Sequence, residues 1–204
     1  MEPVAERHNV VVLGAWNRRL FTPQWIAQEF ASGGEVMLEL AVNNPAIPVR
    51  LSYDGLRLQV ASDRIIVSGG QSDDGTLGRV QEFAAGILDR LSHTPVSAAG
   101  INFEWRDSDP GESIVNLFDL PDGLRLADAG VGVKTTTINR VTDWEDRTLN
   151  IELNLGTDGA FQIGLNFHQS VQSASDARAY ICQGMVELRE RAEQLLSSTY
   201  GFQF

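Results

Sequence analysis

The chain has 204 residues, of which 43% are hydrophobic and 21% are charged, a composition typical of a folded globular protein and not of a disordered one. Sixteen lysines and arginines against 27 aspartates and glutamates give a net charge of −11, which argues against a basic face and predicts no direct nucleic-acid binding. The one cysteine cannot form an internal disulfide, so nothing in the sequence indicates an oxidising compartment.

A strand and a short helix are predicted first. Residues 10–13 are three valines and a leucine, and a glycine follows them, which is typical of a strand. Thr22 stands directly before Pro23, as an N-cap stands before the first residue of a helix. We expect this helix to end before the glycine pair at 33–34.

Four strands are predicted next, because apolar residues recur at every second position. The two prolines in 43–48 indicate a loop after the first strand. Asp54-Gly55 separates the second and third strands, and this pair is typical of a type I′ hairpin turn. The four strands are expected over 36–42, 49–53, 56–60 and 64–68.

A longer helix is predicted over 76–92, where apolar residues follow a helical stripe that stops before Pro95. A strand over 96–106 follows. Residues 100–103 (Gly-Ile-Asn-Phe) resemble residues 164–167 (Gly-Leu-Asn-Phe), and we interpret both as the composition of alternating strands.

The segment 107–128 is acidic and is interrupted by Pro110 and Pro121, with one or two helical turns expected around 112–118. Its carboxylates allow two interpretations, a solvated connector or a site for a hard cation. We favour the connector, because 107–112 departs from the calcium-loop pattern, and we predict no metal site.

Three further strands are expected over 131–141, 148–155 and 160–168, and the last two form a hairpin. One face of these strands and of 96–106 is apolar, and the opposite face is polar. The residues predicted to point away from the core are Asn102, Glu104, Asn150, Glu152, Asn154, Gln162, Asn166 and His168.

One long amphipathic helix is predicted from the N-cap Ser173 to about residue 198, with Cys182 as a buried residue within it. Aromatic residues then alternate at Tyr200, Phe202 and Phe204. Two interpretations of this tail stay open: an extra strand on the protein's own sheet, or a peptide that adds a strand to a partner's sheet.

The element order predicts an α+β protein with a curved, mainly antiparallel sheet backed by helices on one face. We expect a single domain, 1–204, built from two imperfect β-α-β(3-4)-α units at 9–95 and 96–200. This order resembles the TATA-binding-protein-type and helix-grip folds in topology only. No function follows from that resemblance, because one fold hosts many functions.

For function, we find no nucleophile elbow, no phosphate-binding glycine motif and no metal-ligand spacing, so no catalytic residue and no cofactor is predicted. We favour a non-enzymatic protein-binding subunit of the assembly, adaptor or immunity type, bacterial and cytoplasmic. The alternatives are a hydrolase without a recognisable motif and a small-molecule-binding protein. The cavity of the latter would lie between the sheet and the C-terminal helix, lined by Trp16, Trp105, Phe161 and Met185.

The predicted partner is another protein or a second copy of the chain. No membrane association is expected, because no run of about 18 apolar residues occurs. We expect substitution of the three strand asparagines to leave stability nearly unchanged. The candidate interaction residues are Asn150, Asn154 and Asn166 on the sheet and Tyr200, Phe202 and Phe204 on the tail.

Overall fold

A computed structural model of the protein describes residues 1–30, 35–39 and 48–204. In this part of the chain, six α-helices accompany an open, ten-stranded antiparallel sheet. The strands are β1 (Glu2–Pro3), β2 (Asn9–Gly14), β3 (Val36–Glu39), β4 (Val49–Tyr53), β5 (Leu56–Val60), β6 (Arg64–Gly69), β7 (Val96–Asp107), β8 (Thr135–Trp144), β9 (Arg147–Gly156) and β10 (Phe161–Ser170). The helices are α1 (Pro23–Phe30), α2 (Asp74–Arg90), α3 (Glu112–Val115), α4 (Gly123–Asp128), α5 (Ala174–Ile181) and α6 (Met185–Tyr200).

The strands lie in the order β3-β4-β5-β6-β2-β7-β10-β9-β8, and every neighbouring pair is antiparallel. The short β1 pairs with the end of β7 that lies beyond the start of β2. The centre of the sheet is the contact between β2 and β7, which are the first strands of the two predicted units. The α+β class and the antiparallel sheet are therefore confirmed.

One face of the sheet is apolar because its side chains alternate along each strand. On β10, Phe161 and Phe167 are fully buried, whereas Gln162 on the opposite face is exposed. Helices α2, α5 and α6 supply buried residues to the same core; from α5, the Tyr180 hydroxyl donates to the Phe167 main-chain oxygen at 2.8 Å. The core cluster extends from Val10 to Phe202.

Local turn and cap signals are confirmed where they were strongest. Asp54 and Gly55 have φ angles of 48° and 76°, the left-handed conformation that a type I′ turn requires at both central residues. The Thr22 hydroxyl accepts a hydrogen bond from the Trp25 amide at 3.1 Å, so it caps α1 as expected. Ser173 caps α5 through the Asp176 amide.

The prediction of a single C-terminal helix is wrong, because the structure has two helices there, α5 and α6. The chain leaves α5 at Cys182 and enters α6 after Gly184, whose φ of 107° is open mainly to glycine. Cys182 is exposed in this break, and the expectation of a buried cysteine is also wrong. The apolar stripe continues in phase across the break, since Ile181, Met185 and Leu188 are all buried.

Other element boundaries differ from the predicted ones. The strand expected over 131–141 is β8, Thr135–Trp144, and α4 was not predicted within the connector. The tail is also different from the expectation of an extra strand, because residues 201–204 form no strand. The end of the strand expected over 36–42, the following loop up to residue 47, and the glycine pair at 33–34 lie outside the described residues.

Candidate functional site

Four asparagines form a line across the polar face of the sheet, one on each of four adjacent strands. Asn9 on β2 is directly opposite Asn102 on β7, which is opposite Asn166 on β10, which is opposite Asn150 on β9. This alignment requires the pairing of β2 with β7 and the register of both hairpin strands. We call these four residues the asparagine row.

The side-chain amides of the asparagine row form a chain of hydrogen bonds in which each amide donates to the next, from Asn150 to Asn9. Asn150 Nδ2 donates to Asn166 Oδ1 at 3.0 Å, Asn166 donates to Asn102, and Asn102 Nδ2 donates to Asn9 Oδ1 at 2.8 Å. Asn9 Nδ2 then donates to the main-chain oxygen of Glu6 at 3.1 Å. Each amide is therefore held in a fixed orientation.

The asparagine row retains hydrogen-bonding capacity towards solvent. An asparagine amide has two N–H donors and an oxygen with two lone pairs. Within the row each residue uses one donor, and His168 Nδ1 makes two further contacts, with Asn150 Nδ2 at 3.3 Å and with Asn166 Oδ1 at 3.0 Å. Because neighbouring strands lie about 4.8 Å apart, the row extends roughly 14 Å across the sheet. Asn102, Asn166 and Asn150 are half-buried and present fixed donors and acceptors to solvent, whereas Asn9 is buried.

The row forms one side of an open cleft of about 390 Å³. The next row of side chains on the same face consists of Glu104 on β7, Gly164 on β10, Glu152 on β9 and Asn139 on β8, and all four line the cleft. A Cβ atom placed on Gly164 would meet nothing within 4 Å. The space above Gly164, between the two glutamates, is therefore not filled by the protein.

Glu104 is the more enclosed of the two glutamates, with a side chain that is 27% exposed. Burial raises the pKa of its carboxyl; Arg7 opposes this shift, Glu152 adds to it, and Arg106 opposes it. Arg7 Nε lies 3.8 Å from Glu104 Oε2, and its side chain is 67% exposed. A pair with this geometry at the surface contributes little to stability.

His8 lies beneath the end of the row, against Phe103 and Trp105. Burial lowers the pKa of its imidazole to about 4; the hydrogen bond to the Glu104 main chain opposes this shift, and Arg189 adds to it. The imidazole is therefore neutral near pH 7. Because it is buried, it supports the main chain of Glu104 from below and is not part of the site's surface.

The sequence candidates fall into two places. Asn150 and Asn166 belong to the asparagine row, and Asn154 lies one row beyond the cleft, where its Nδ2 donates to Glu152 Oε1 at 2.8 Å. The tail aromatics lie elsewhere. Phe202 is buried against Phe161, with ring centroids 5.6 Å apart, and the Tyr200 hydroxyl accepts from Arg140.

Phe204 is 46% exposed and contacts Trp105, with ring centroids 5.3 Å apart. The residues proposed for a cavity, Trp16, Trp105, Phe161 and Met185, are all buried members of the core cluster. Within the described ranges, no group of three or more histidine, cysteine or acidic residues is arranged to hold a metal ion.

The connector between β7 and β8 presents apolar side chains to solvent. Leu124 on α4 is 80% exposed, and the other exposed members are Val115, Leu117, Leu120, Val131 and Val133. Exposed apolar groups of this kind are found at protein-interaction surfaces. None of the helices in 1–30 and 48–204 has the length and apolarity needed to cross a lipid bilayer.

The sequence predictions missed Asn9 and Gly164, and they placed Asn102 on the polar face without naming it as an interaction candidate. The similar segments at 100–103 and 164–167 each carry one of the two asparagines, and the antiparallel pairing of β7 with β10 places Asn102 opposite Asn166. No protein-family model matches this chain, and no curated protein has a sequence similar enough to match it.

Proposed function

We propose that this chain is a non-enzymatic protein-binding subunit whose polar sheet face binds an extended, polar segment of a partner. The asparagine row carries the proposal, because oriented amides with free donors and acceptors match the hydrogen-bonding groups of a peptide. The row lies at the side of a cleft, where a bound segment is partly withdrawn from water.

The composition of the cleft favours binding over covalent catalysis. Of the described residues that line it, five are asparagines, two are glutamates and one is Arg7, and none is serine, threonine, cysteine, histidine or lysine. Serine, threonine, cysteine and lysine are common nucleophiles and histidine is the commonest general base, so the two glutamates are the acid-base groups that this lining offers.

We further infer that the two halves of the chain, 9–95 and 96–200, are imperfect copies with a topology of the TATA-binding-protein type. The central contact between β2 and β7 supports this inference, as does the arrangement of the later strands of each half outward from its first strand. The proposed location is the bacterial cytoplasm, as expected from the sequence.

Site-specific photo-crosslinking in the native host tests the proposal. Val141 is 75% exposed and lies opposite Asn150, at the end of the asparagine row. We expect Val141→benzoylphenylalanine to form one adduct of defined mass, and the added Asn150→Ala to remove that adduct. The matched control is Gln59→Ala, which removes a half-buried amide of β5 outside the cleft and should leave the adduct in place.

The exposed apolar connector is a second possible site for the partner, and a crosslinker at Leu124 tests it. An adduct from Leu124→benzoylphenylalanine, with none from position 141, would move the interface from the sheet to the connector. Light scattering during size-exclusion chromatography separates a foreign partner from a second copy of the chain, since only a second copy doubles the mass of the purified protein.

A further inference from the structure

The two glutamates of the cleft differ from the asparagine row in what they can bind. Glu104 and Glu152 lie on strands that are both paired with β10, and Gly164 is the residue of β10 between them. Two strand spacings separate their main chains by roughly 9–10 Å. Because Gly164 has no side chain, the space between the carboxylates is open to a group from outside.

Neither carboxylate is fully used within the described structure. Glu152 Oε1 accepts from Asn154, and among the described residues Glu152 has no ion-pair partner. Glu104 is paired only with Arg7, at 3.8 Å, which is longer than a hydrogen bond. Each glutamate therefore has oxygen atoms free to accept further hydrogen bonds.

From this geometry we propose that the space over Gly164 binds a guanidinium group, an arginine side chain of the partner segment, between Glu104 and Glu152. This inference rests on the proposed function, because it assigns the chemistry of the segment that binds the polar face. A guanidinium fits better than an ammonium, since its planar fork donates to two carboxylates at once.

Two arginines of the protein itself also act on the Glu104 carboxylate. Arg7 and Arg106 both lower the pKa of the Glu104 carboxyl, whereas Glu152 raises it. Arg7 is the one that lines the cleft, and it competes with the incoming guanidinium for Glu104. Its removal should therefore strengthen binding, which is the opposite of the effect of removing Glu152.

The test is a titration with N-acetyl-arginine-methylamide, followed by NMR at the Leu165 backbone amide and the Asn166 side-chain amide. N-acetyl-citrulline-methylamide has nearly the same shape without the charge, and the lysine analogue distinguishes an ammonium. We expect a saturable shift with the arginine compound and none with citrulline. A linear response that is equal for both compounds would overturn the inference.

Gly164→Val fills the space without a clash, because a Cβ there meets nothing and valine suits a strand. We expect this variant to fold and to lose the saturable shift. The matched control is Gln162→Val, an exposed position two residues away on the same strand and face, where the shift should persist. A full shift in Gly164→Val would also overturn the inference.

Charge variants give a second, independent test. Glu152→Gln should weaken binding of the arginine compound roughly fivefold to tenfold through the loss of one charge-assisted partner, and Arg7→Ala should strengthen it. Glu190→Gln removes the same charge from an exposed position on α6 and should change the affinity less than twofold, as roughly expected for a solvated charge. Equal effects of Glu152→Gln and Glu190→Gln would contradict a specific site.

The two proposals fail separately. If the arginine compound does not bind but the crosslink at position 141 still requires Asn150, the protein-binding function stands and the guanidinium site is wrong. If the compound binds between the glutamates but no adduct forms at position 141, the site stands and the proposed function is wrong.

Discussion

The imidazole Nε2 of His8 donates a hydrogen bond to the main-chain oxygen of Glu104 at 3.0 Å, joining the segment before β2 to β7. The ring is fully buried, and its Nδ1 has no hydrogen-bond partner among the described residues. A protonated ring would therefore carry a buried charge without a second acceptor. The neutral tautomer with the proton on Nε2 is the one that fits this place.

This relationship predicts an acid-sensitive stability. The pKa of His8 is about 4 in the folded chain and 6.5 as the ordinary value for the unfolded one, so the unfolded state binds the proton first as the pH falls. Stability is therefore present above pH 6.5 and is lost towards pH 4. Between pH 7 and pH 5 we expect His8 to account for a loss of about 2 kcal/mol.

Urea unfolding of the wild type and of His8→Phe at both pH values measures this loss. Other groups, including Glu104, titrate in both proteins, so the difference between the two proteins isolates the imidazole. A difference that is the same at pH 7 and pH 5 would contradict the prediction.

The asparagine row changes the expectation for the strand asparagines. Asn166→Ala removes a half-buried amide that joins Asn102 to Asn150, and should lower the free energy of unfolding by about 1–2 kcal/mol. Asn154→Ala, outside the row, should change it by less than about 0.5 kcal/mol. Chemical denaturation measures both, and equal costs would show that the row contributes nothing to stability.

Two glycines give opposite predictions for the same substitution. Gly184→Ala forces an alanine to φ 107° and should cost about 1–2 kcal/mol, although the new methyl group meets nothing closer than 3.7 Å. Gly78→Ala lies inside α2 with open space around it and should stabilise the protein by roughly 0.5–1 kcal/mol. Thermal unfolding of both variants checks the signs; a stabilising Gly184→Ala would show that the backbone there is relaxed.

The tail aromatics predict a stability effect at one position only. Phe202 is 8% exposed and packs on Phe161, so Phe202→Ala should cost about 3 kcal/mol. Phe204→Ala, at 46% exposure, should cost less than about 1 kcal/mol. If Phe202→Ala leaves the melting temperature unchanged but removes an association seen in the crosslinking experiment, the tail binds a partner instead of its own core.

Local chemistry explains what the sequence could predict. The type I′ turn at Asp54-Gly55 and the cap at Thr22 depend on a few adjacent residues, and both are present in the structure. The break at Gly184 was missed because the apolar stripe stays in phase across it, so Ile181 and Met185 read as one helix. A periodic pattern reports which face is buried and is insensitive to a short interruption.

The candidate site was predicted only in part, for a different reason. Alternation correctly placed Asn150 and Asn166 on the polar face, because alternation is a property of a single strand. Asn9 joins them only through the pairing of β2 with β7, which is a relationship between residues about ninety positions apart. No local pattern determines that register.

The asparagine row also couples binding to folding of the whole sheet. Asn9 comes from the first half of the chain and its three companions from the second, so neither half contains the site by itself. A ligand held by all four would bind only the assembled protein, and at a hundredfold excess over its Kd it would add about 2.7 kcal/mol to the free energy of unfolding. Slower hydrogen exchange at the seam between β2 and β7 would then be a signature of occupancy, even though the ligand lies partly on other strands.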